Sequence, residues 1–199
     1  MARVRVRSSA SRSSTDPATS TTPMSTQRRY SWPNRILLLS KPTYAPGNYS
    51  RGGIRRVRNG ALRFAFETTL GGTTITRELL EAAADGVDLY VWYAGLASPD
   101  LHIERVAQRV RNGGHDIDPE RIQKRYDASP KNLCRLLPYA KELYLYDNST
   151  TVDVDGGQRP QPLKVLEMRE HLITSIVRPT PKWAEHVVDF ANKAAWPEP

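Results

Sequence analysis

Side chains able to do chemistry fall into a few places in this 199-residue chain. Two polar runs follow apolar stretches: Glu67-Thr68-Thr69 after Leu62–Phe66, and Asp147-Asn148-Ser149 after Glu142–Tyr146. If those stretches are strands of an α/β sheet, both runs lie at carboxyl ends, where such sheets hold ligands. Arginines cluster nearby, with Arg105, Arg109 and Arg111 close to Glu104 and just before Gly113-Gly114. Their spacing alone reads as a solvated charged helix face. His115 beside Asp116 invites a metal or acid–base reading, but a single loop histidine is ordinarily neither, and it reads as a turn residue. Cys134 stands between Leu133 and Leu136 at an apolar helical position, which points to core packing rather than a nucleophile. Asp153 and Asp155 near Gly156 lack the EF-hand spacing and read as turn residues. No metal site is expected.

The elements that must position these groups follow from periodicity. Leu62–Thr68 reads as a strand. Thr73–Ala84 has Ile75, Leu79, Leu80 and Ala83 at helical spacing and stops at Asp85-Gly86. Val87–Ala94 is a buried strand by length and β-propensity. Ser98 is the N-cap of a helix with Pro99 in its first position, running to Asn112-Gly113-Gly114. A longer helix spans roughly Asp118–Tyr139, with a break or kink expected at Ser129-Pro130. Glu142–Tyr146 is a strand, Val152–Val177 a hairpin turning at Asp155-Gly156-Gly157 with its return strand near Lys164–Met168, and Trp183–Ala194 a closing helix. Alternating strands and helices imply a mostly parallel α/β sheet covered on both faces.

Charge divides the chain. Residues 1–66 hold 13 Lys and Arg against Asp16 alone, whereas residues 67–199 hold 16 against 20 acids, so +12 and −4 sum to +8. Residues 1–26 contain 12 Ser and Thr and no aromatic residue. Such a composition buries too little apolar surface to offset ordering entropy, so residues 1–35 are expected to be disordered. Pro33, Pro42, Pro46 and Gly47 interrupt any period up to residue 50. Only Ile36–Leu39 offers an apolar run that could serve as a strand. One cysteine excludes an internal disulfide framework, and no apolar stretch approaches the ~20 residues of a membrane helix.

Four strings between Arg63 and Ser149 occur in a family's order and spacing: Phe64-Ala65-Phe66-Glu67-Thr68-Thr69-Leu70, Glu104 to His115, Lys124-Arg125-Tyr126, and Tyr146-Asp147-Asn148-Ser149. Together they resemble the zeta-toxin-like P-loop kinases, which include UDP-N-acetylglucosamine kinases and predicted ATPases. The resemblance implies an α/β P-loop kinase-like domain over residues 51–199 and ATP-dependent phosphorylation of a small acceptor, such as a nucleotide sugar. It implies ATP and Mg²⁺ as cofactors, UDP-N-acetylglucosamine as a candidate acceptor, an antitoxin as a candidate partner, and a cytoplasmic setting without membrane or nucleic acid. Arg109 and Arg125 would reach the nucleotide and transferred phosphate, for which a guanidinium fork is well shaped. Gly113-Gly114 would joint the lid between them. Glu67 and Thr68 would face the acceptor, and Asp147 the nucleotide.

The chain departs from that pattern. It contains no G-x-x-x-x-G-K-S/T, whose amides, lysine and hydroxyl cradle phosphates and Mg²⁺, and no N-P-D-E segment with the expected general base. Shifting the codon frame of residues 17–25 permits G-D-F-Y-N-P-D-E, and that of residues 1–7 permits G-T-G-A-G-K. Residues 1–50 are therefore expected to be an out-of-frame segment, a reading ranked above a basic nucleic-acid-binding tail and, third, a transit peptide. Little or no kinase activity is expected. The alternative is a non-catalytic protein that binds a phosphoryl ligand through the arginine lid or nucleic acid through the basic tail.

Overall fold

In the computed structural model, the described residues are 2–8, 46–60, 63–150 and 161–194. The first strand, β1 (Ala2–Ser8), reads Ala-Arg-Val-Arg-Val-Arg-Ser, with apolar and charged residues alternating at the period of a strand. Ala2, Val4 and Val6 are all fully buried. The disorder expected over residues 1–35 is thus overturned for residues 2–8. Composition averaged over 26 residues hid a seven-residue amphipathic strand whose backbone is paired along both edges. Ile36–Leu39, expected as a surrogate strand, lies outside the described residues.

Helix α1 (Pro46–Arg58) crosses the boundary expected at residue 50. Pro46 opens this helix instead of interrupting structure, since the first helical position needs no N–H donor. Ile54 and Val57 are buried. Gly53 lies so near Phe64 that an added Cβ would stand 2.1 Å from its ring. Strand β2 (Arg63–Thr68) is followed by α2 (Thr73–Ala84). Buried Glu78 of α2 receives Arg51 Nε of α1 at 3.0 Å, so the two helices are joined by an ion pair beside their apolar contact. Gly86 ends α2 in the left-handed region, at φ +80°.

Strand β3 (Val87–Gly95) buries alternate residues along its whole length. Helix α3 (Pro99–Arg111) starts as its sequence indicates, with Ser98 Oγ accepting from Leu101 N at 3.2 Å. Asp118 caps α4 (Pro119–Leu136), which continues through Pro130 and passes into a 3₁₀ turn over Leu137–Tyr139. The break expected at Ser129-Pro130 is absent. Strands β4 (Ala140–Asp147), β5 (Leu163–Arg169) and β6 (Leu172–Ile176) precede α5 (Glu185–Lys193). The return strand expected near Lys164–Met168 is β5, while the expected turn at residues 155–157 lies outside the described residues. The observed tight hairpin joins β5 to β6 through Glu170 (φ +46°) and His171 (φ +64°), a left-handed pair without glycine.

The strands form one sheet in the order β2-β1-β3-β4-β5-β6. Only β3 and β4 are parallel, so the sheet is mixed and not mostly parallel. Strand β1 sits between β2 and β3, antiparallel to both, with Val4 opposite Phe66 and Val91. The helices make a single layer, α1 on α2, α2 on α4, and α4 on both α3 and α5. One apolar cluster under this layer takes Val4, Phe66, Val91, Leu143 and Leu166 from the same sheet face. The other face carries the alternate residues, among them Arg5, Tyr90, Trp92 and Tyr144, and no described helix belongs to a layer there. Among the described residues, the expected coverage on both faces is therefore corrected to a helical layer on one. No described helix is long and apolar enough to cross a membrane.

Placing a charge in the core from β1 tests this architecture. Val4→Asp should destabilise the fold by more than about 3 kcal/mol, because the new carboxylate is buried unpaired. Arg5→Gln, one residue away on the open face, should change stability by about 1 kcal/mol or less. Urea denaturation reads both, and an unchanged midpoint for Val4→Asp would detach β1 from the core.

Candidate functional site

Strands β2, β3 and β4 end at the same edge of the sheet. Thr68 lies opposite Ala2, which also faces Tyr93, and Gly95 lies opposite Asp147. Glu67, Thr68 and Asp147 thus share one edge. They do not converge, because β1 and β3 separate β2 from β4. Three strand spacings of ~4.8 Å put about 14 Å between them.

The loop after β2 is tightly held. Thr68 Oγ1 accepts from Leu70 N at 3.1 Å, a turn that places Leu70 at φ +53°. Helix α4 grips the same loop from above. Ser129 Oγ donates to Thr69 O at 2.8 Å and accepts from Tyr93 OH at 2.9 Å. Asn132 Nδ2 donates to Leu70 O at 2.9 Å. Both α4 side chains are buried, so these bonds replace water that cannot reach the loop carbonyls. One turn earlier, Tyr126 OH lies 3.2 Å from Leu96 O and 3.1 Å from Ala97 O, in the loop after β3. A single helix face thereby ties together the loops leaving β2 and β3.

This grip positions Arg125. A Cβ on Gly71 would stand 2.6 Å from Arg125 Cγ and 2.7 Å from its Cβ, so glycine is required where the arginine stem crosses the loop. Arg125 is therefore brought beside the segment that follows Glu67 and Thr68. Arg109 is not: its Nη2 donates to His115 O at 2.8 Å, folding it onto the turn between α3 and α4. Helix α3 has no fully buried residue. It reaches the loop after β4 through Arg105 Nη2, which donates to Thr150 O at 3.3 Å.

The two strand-end carboxylates are engaged as well. Glu67 is ion-paired with Arg3 of β1. Asp147 Oδ1 accepts from Ser149 N at 2.9 Å and from Ser149 Oγ, closing an Asx turn. Among the described residues no three His, Cys, Asp or Glu side chains gather as a metal ion would require. Asp153 and Asp155 lie outside those residues. Cys134 is buried, and burial pushes its thiol up to about 11, as suits a packing residue. Two shallow depressions of about 270 and 330 Å³ lie elsewhere, one near Asp88, Lys141 and Glu170 and one near Arg178 and Asp189. The first is at the opposite edge of the sheet from Asp147.

Sequence reasoning missed Tyr93, Tyr126, Ser129, Asn132 and Arg3. Ser129 and Asn132 fall three residues apart on α4, a spacing that marks one helix face, but nothing local shows that this face meets a loop some 60 residues earlier in the chain.

No family model matches this sequence. An uncharacterized protein of Haemophilus influenzae (strain KW20 Rd) is 30% identical over 63 residues, covering 32% of this chain and 45% of that protein. The chain thus matches less than half the length of that curated relative. No solved structure matches.

Two outcomes test the site geometry. Asn132→Ala leaves the Leu70 carbonyl without its partner and should lower unfolding free energy by about 1–3 kcal/mol in chemical denaturation. His102 of α3 packs edge-on against Tyr126, and burial, aided by Arg105, lowers its pKa to about 4. An unfolded histidine titrates near ~6.5, so between the two values the unfolded chain binds the extra proton. Stability therefore falls as pH drops from about 6.5 towards 4, and this contribution vanishes in His102→Asn. Thermal melts at pH 7.5 and pH 5 should show a smaller acid loss in the variant than in the parent protein.

Proposed function

We propose that this chain is the acceptor-and-lid part of a zeta-toxin-like phosphotransferase fold, and that it binds a phosphorylated small molecule without transferring phosphate. Arg125 carries the reading. Its stem crosses the loop that follows Glu67 and Thr68, within a network that leaves the loop little freedom. A guanidinium whose stem is packed against a fixed loop loses less freedom on binding phosphate than one on a wholly mobile side chain. Arg109 supplies the second cation by release from His115 O when the joint at Gly113-Gly114 moves α3 over the edge.

The absence of transfer follows from the strand inserted between β2 and β3. A phosphate cradle forms where a strand's carboxyl end turns into a helix N-terminus. Between β2 and β3 stands β1, whose amino end lies at the edge that holds Thr68 and Asp147. No G-x-x-x-x-G-K-S/T occurs anywhere in the sequence to supply the lysine and Mg²⁺-binding hydroxyl. A nucleotide sugar suits such a site, since its diphosphate addresses the arginines and its sugar hydroxyls the edge of β2.

Calorimetry with UDP-N-acetylglucosamine tests the binding, and a coupled assay with Mg²⁺ and ATP tests the chemistry. Binding weakened at least tenfold by Arg125→Gln and untouched by Lys131→Gln, with no ATP consumption above the buffer rate, is the expected result. Equal affinity in the Arg125→Gln protein, or no heat of binding at all, would overturn the assignment. Mg²⁺-dependent ATP consumption would restore a complete kinase.

A further inference from the structure

We infer that the open face of the sheet is a binding platform for single-stranded nucleic acid, separate from the carboxyl-edge site. Four side chains from neighbouring strands form a row across this face, Trp92 and Tyr144 directly opposite each other and Arg5 and Arg169 one diagonal step to either side. Arg5 lies 5.6 Å from the ring centres of both Tyr90 and Trp92. Trp92 stacks on Tyr144, its direct partner across β3 and β4, at 5.5 Å and 9° between ring planes. Arg169 of β5 closes the row 5.6 Å from the Tyr144 ring. From β1 to β5 the row covers three strand spacings, about 14 Å at ~4.8 Å each. That width suits two or three bases on a sheet, the number that aromatic sheet faces stack in single-stranded RNA.

The charge on this face selects the occupant. Its carboxylates are already engaged: Glu67 by Arg3, Asp88 by Lys141, Glu142 by the Tyr144 hydroxyl, and Glu167 by Lys164 and Arg169. Arg5 makes no ion pair among the described residues and meets only rings. Arg3, Arg5 and Arg7 project on this face at every second position of β1. A polyanion is the complementary partner. A second copy would oppose the same cations, and residues 9–45, with five Lys and Arg against one acid, carry the same sign. A four-strand face about 14 Å across is broader than the ~12 Å major groove, which admits a two-stranded ribbon, whereas it can stack unpaired bases. A base on Trp92 displaces Arg5 from the ring, and the freed guanidinium then meets the phosphate beside that base.

Fluorescence anisotropy with labelled 20-nucleotide oligo-dT and oligo-rU, on the full chain at 50 and 200 mM salt, tests the proposal. Expected are binding to single strands at least tenfold tighter than to a duplex of the same length, and weakening with added salt. Trp92→Leu and Tyr144→Leu should each weaken binding five- to 100-fold. Arg5→Gln should weaken it three- to tenfold, and Lys131→Gln on the helical layer should leave it unchanged. Arg5→Gln leaves the rings and core intact, so it keeps the test decisive if an aromatic variant unfolds. Affinity that ignores Trp92, Tyr144 and Arg5, or favours duplex, would assign binding to the basic residues at large and overturn the platform. Self-association that Trp92→Leu abolishes, with no oligonucleotide bound, would make the face a contact between copies instead.

Discussion

Strand β1 holds β2 to the rest of the sheet. Among the described elements β2 pairs with β1 alone, and β1 also pairs with β3 along its full length. From Ala2 to Arg7, β1 therefore has a partner strand on both sides, and its three small apolar side chains are fully buried in the core. Without that insertion, Glu67, Thr68 and the loop beneath Arg125 would be held to β3 and β4 through helix contacts alone, with no backbone ladder between them. The direction of β1 matters as much as its presence, because an antiparallel strand brings its amino end, and with it Arg3, to the edge where Glu67 lies.

Helix α4 supplies the complementary restraint. Its inner face combines Leu133 and Leu136, buried in the core, with Ser129 and Asn132, whose polar atoms meet loop carbonyls. Apolar burial supplies the affinity of this face for the sheet, and the hydrogen bonds fix its axial position. The buried Tyr93 hydroxyl extends the network back into β3, where burial pushes its pKa up to about 12 and keeps it a hydrogen-bond donor at all ordinary pH. Helix α3 has no such inner face, and its attachment through α4 and Arg105 leaves it the freer member of the pair.

Among the described residues the helices cover one face, which gives the sheet two surfaces of different chemistry. The inner one is apolar and closed. The outer one sets guanidinium groups against aromatic rings, so that charged and flat side chains cover the backbone together and remain partly open to solvent. The two proposed anion sites divide accordingly: one at the strand ends under the α3–α4 pair, the other across β1, β3, β4 and β5.

Much of the local structure was written in the sequence. Helix α2 with its glycine stop, the Ser98–Pro99 start of α3 and the uninterrupted β3 all rest on signals within a few residues, where backbone preference and capping decide. Strand β1 carried its own alternating signal, but average composition over the basic segment concealed it. Only distant contacts could make it an interior strand. The β5–β6 turn was illegible because Glu170 and His171 adopt left-handed geometry without the usual glycine. At the candidate site, the sequence determined which residue types end the strands and that arginines flank a glycine joint. The tertiary structure alone decided that Arg125 meets the loop after β2 while Arg109 turns back to His115, and that Glu67 is paired with Arg3. Those outcomes depend on strand order and on how one helix face seats, quantities set by packing between segments about 60 residues apart and invisible to any local rule.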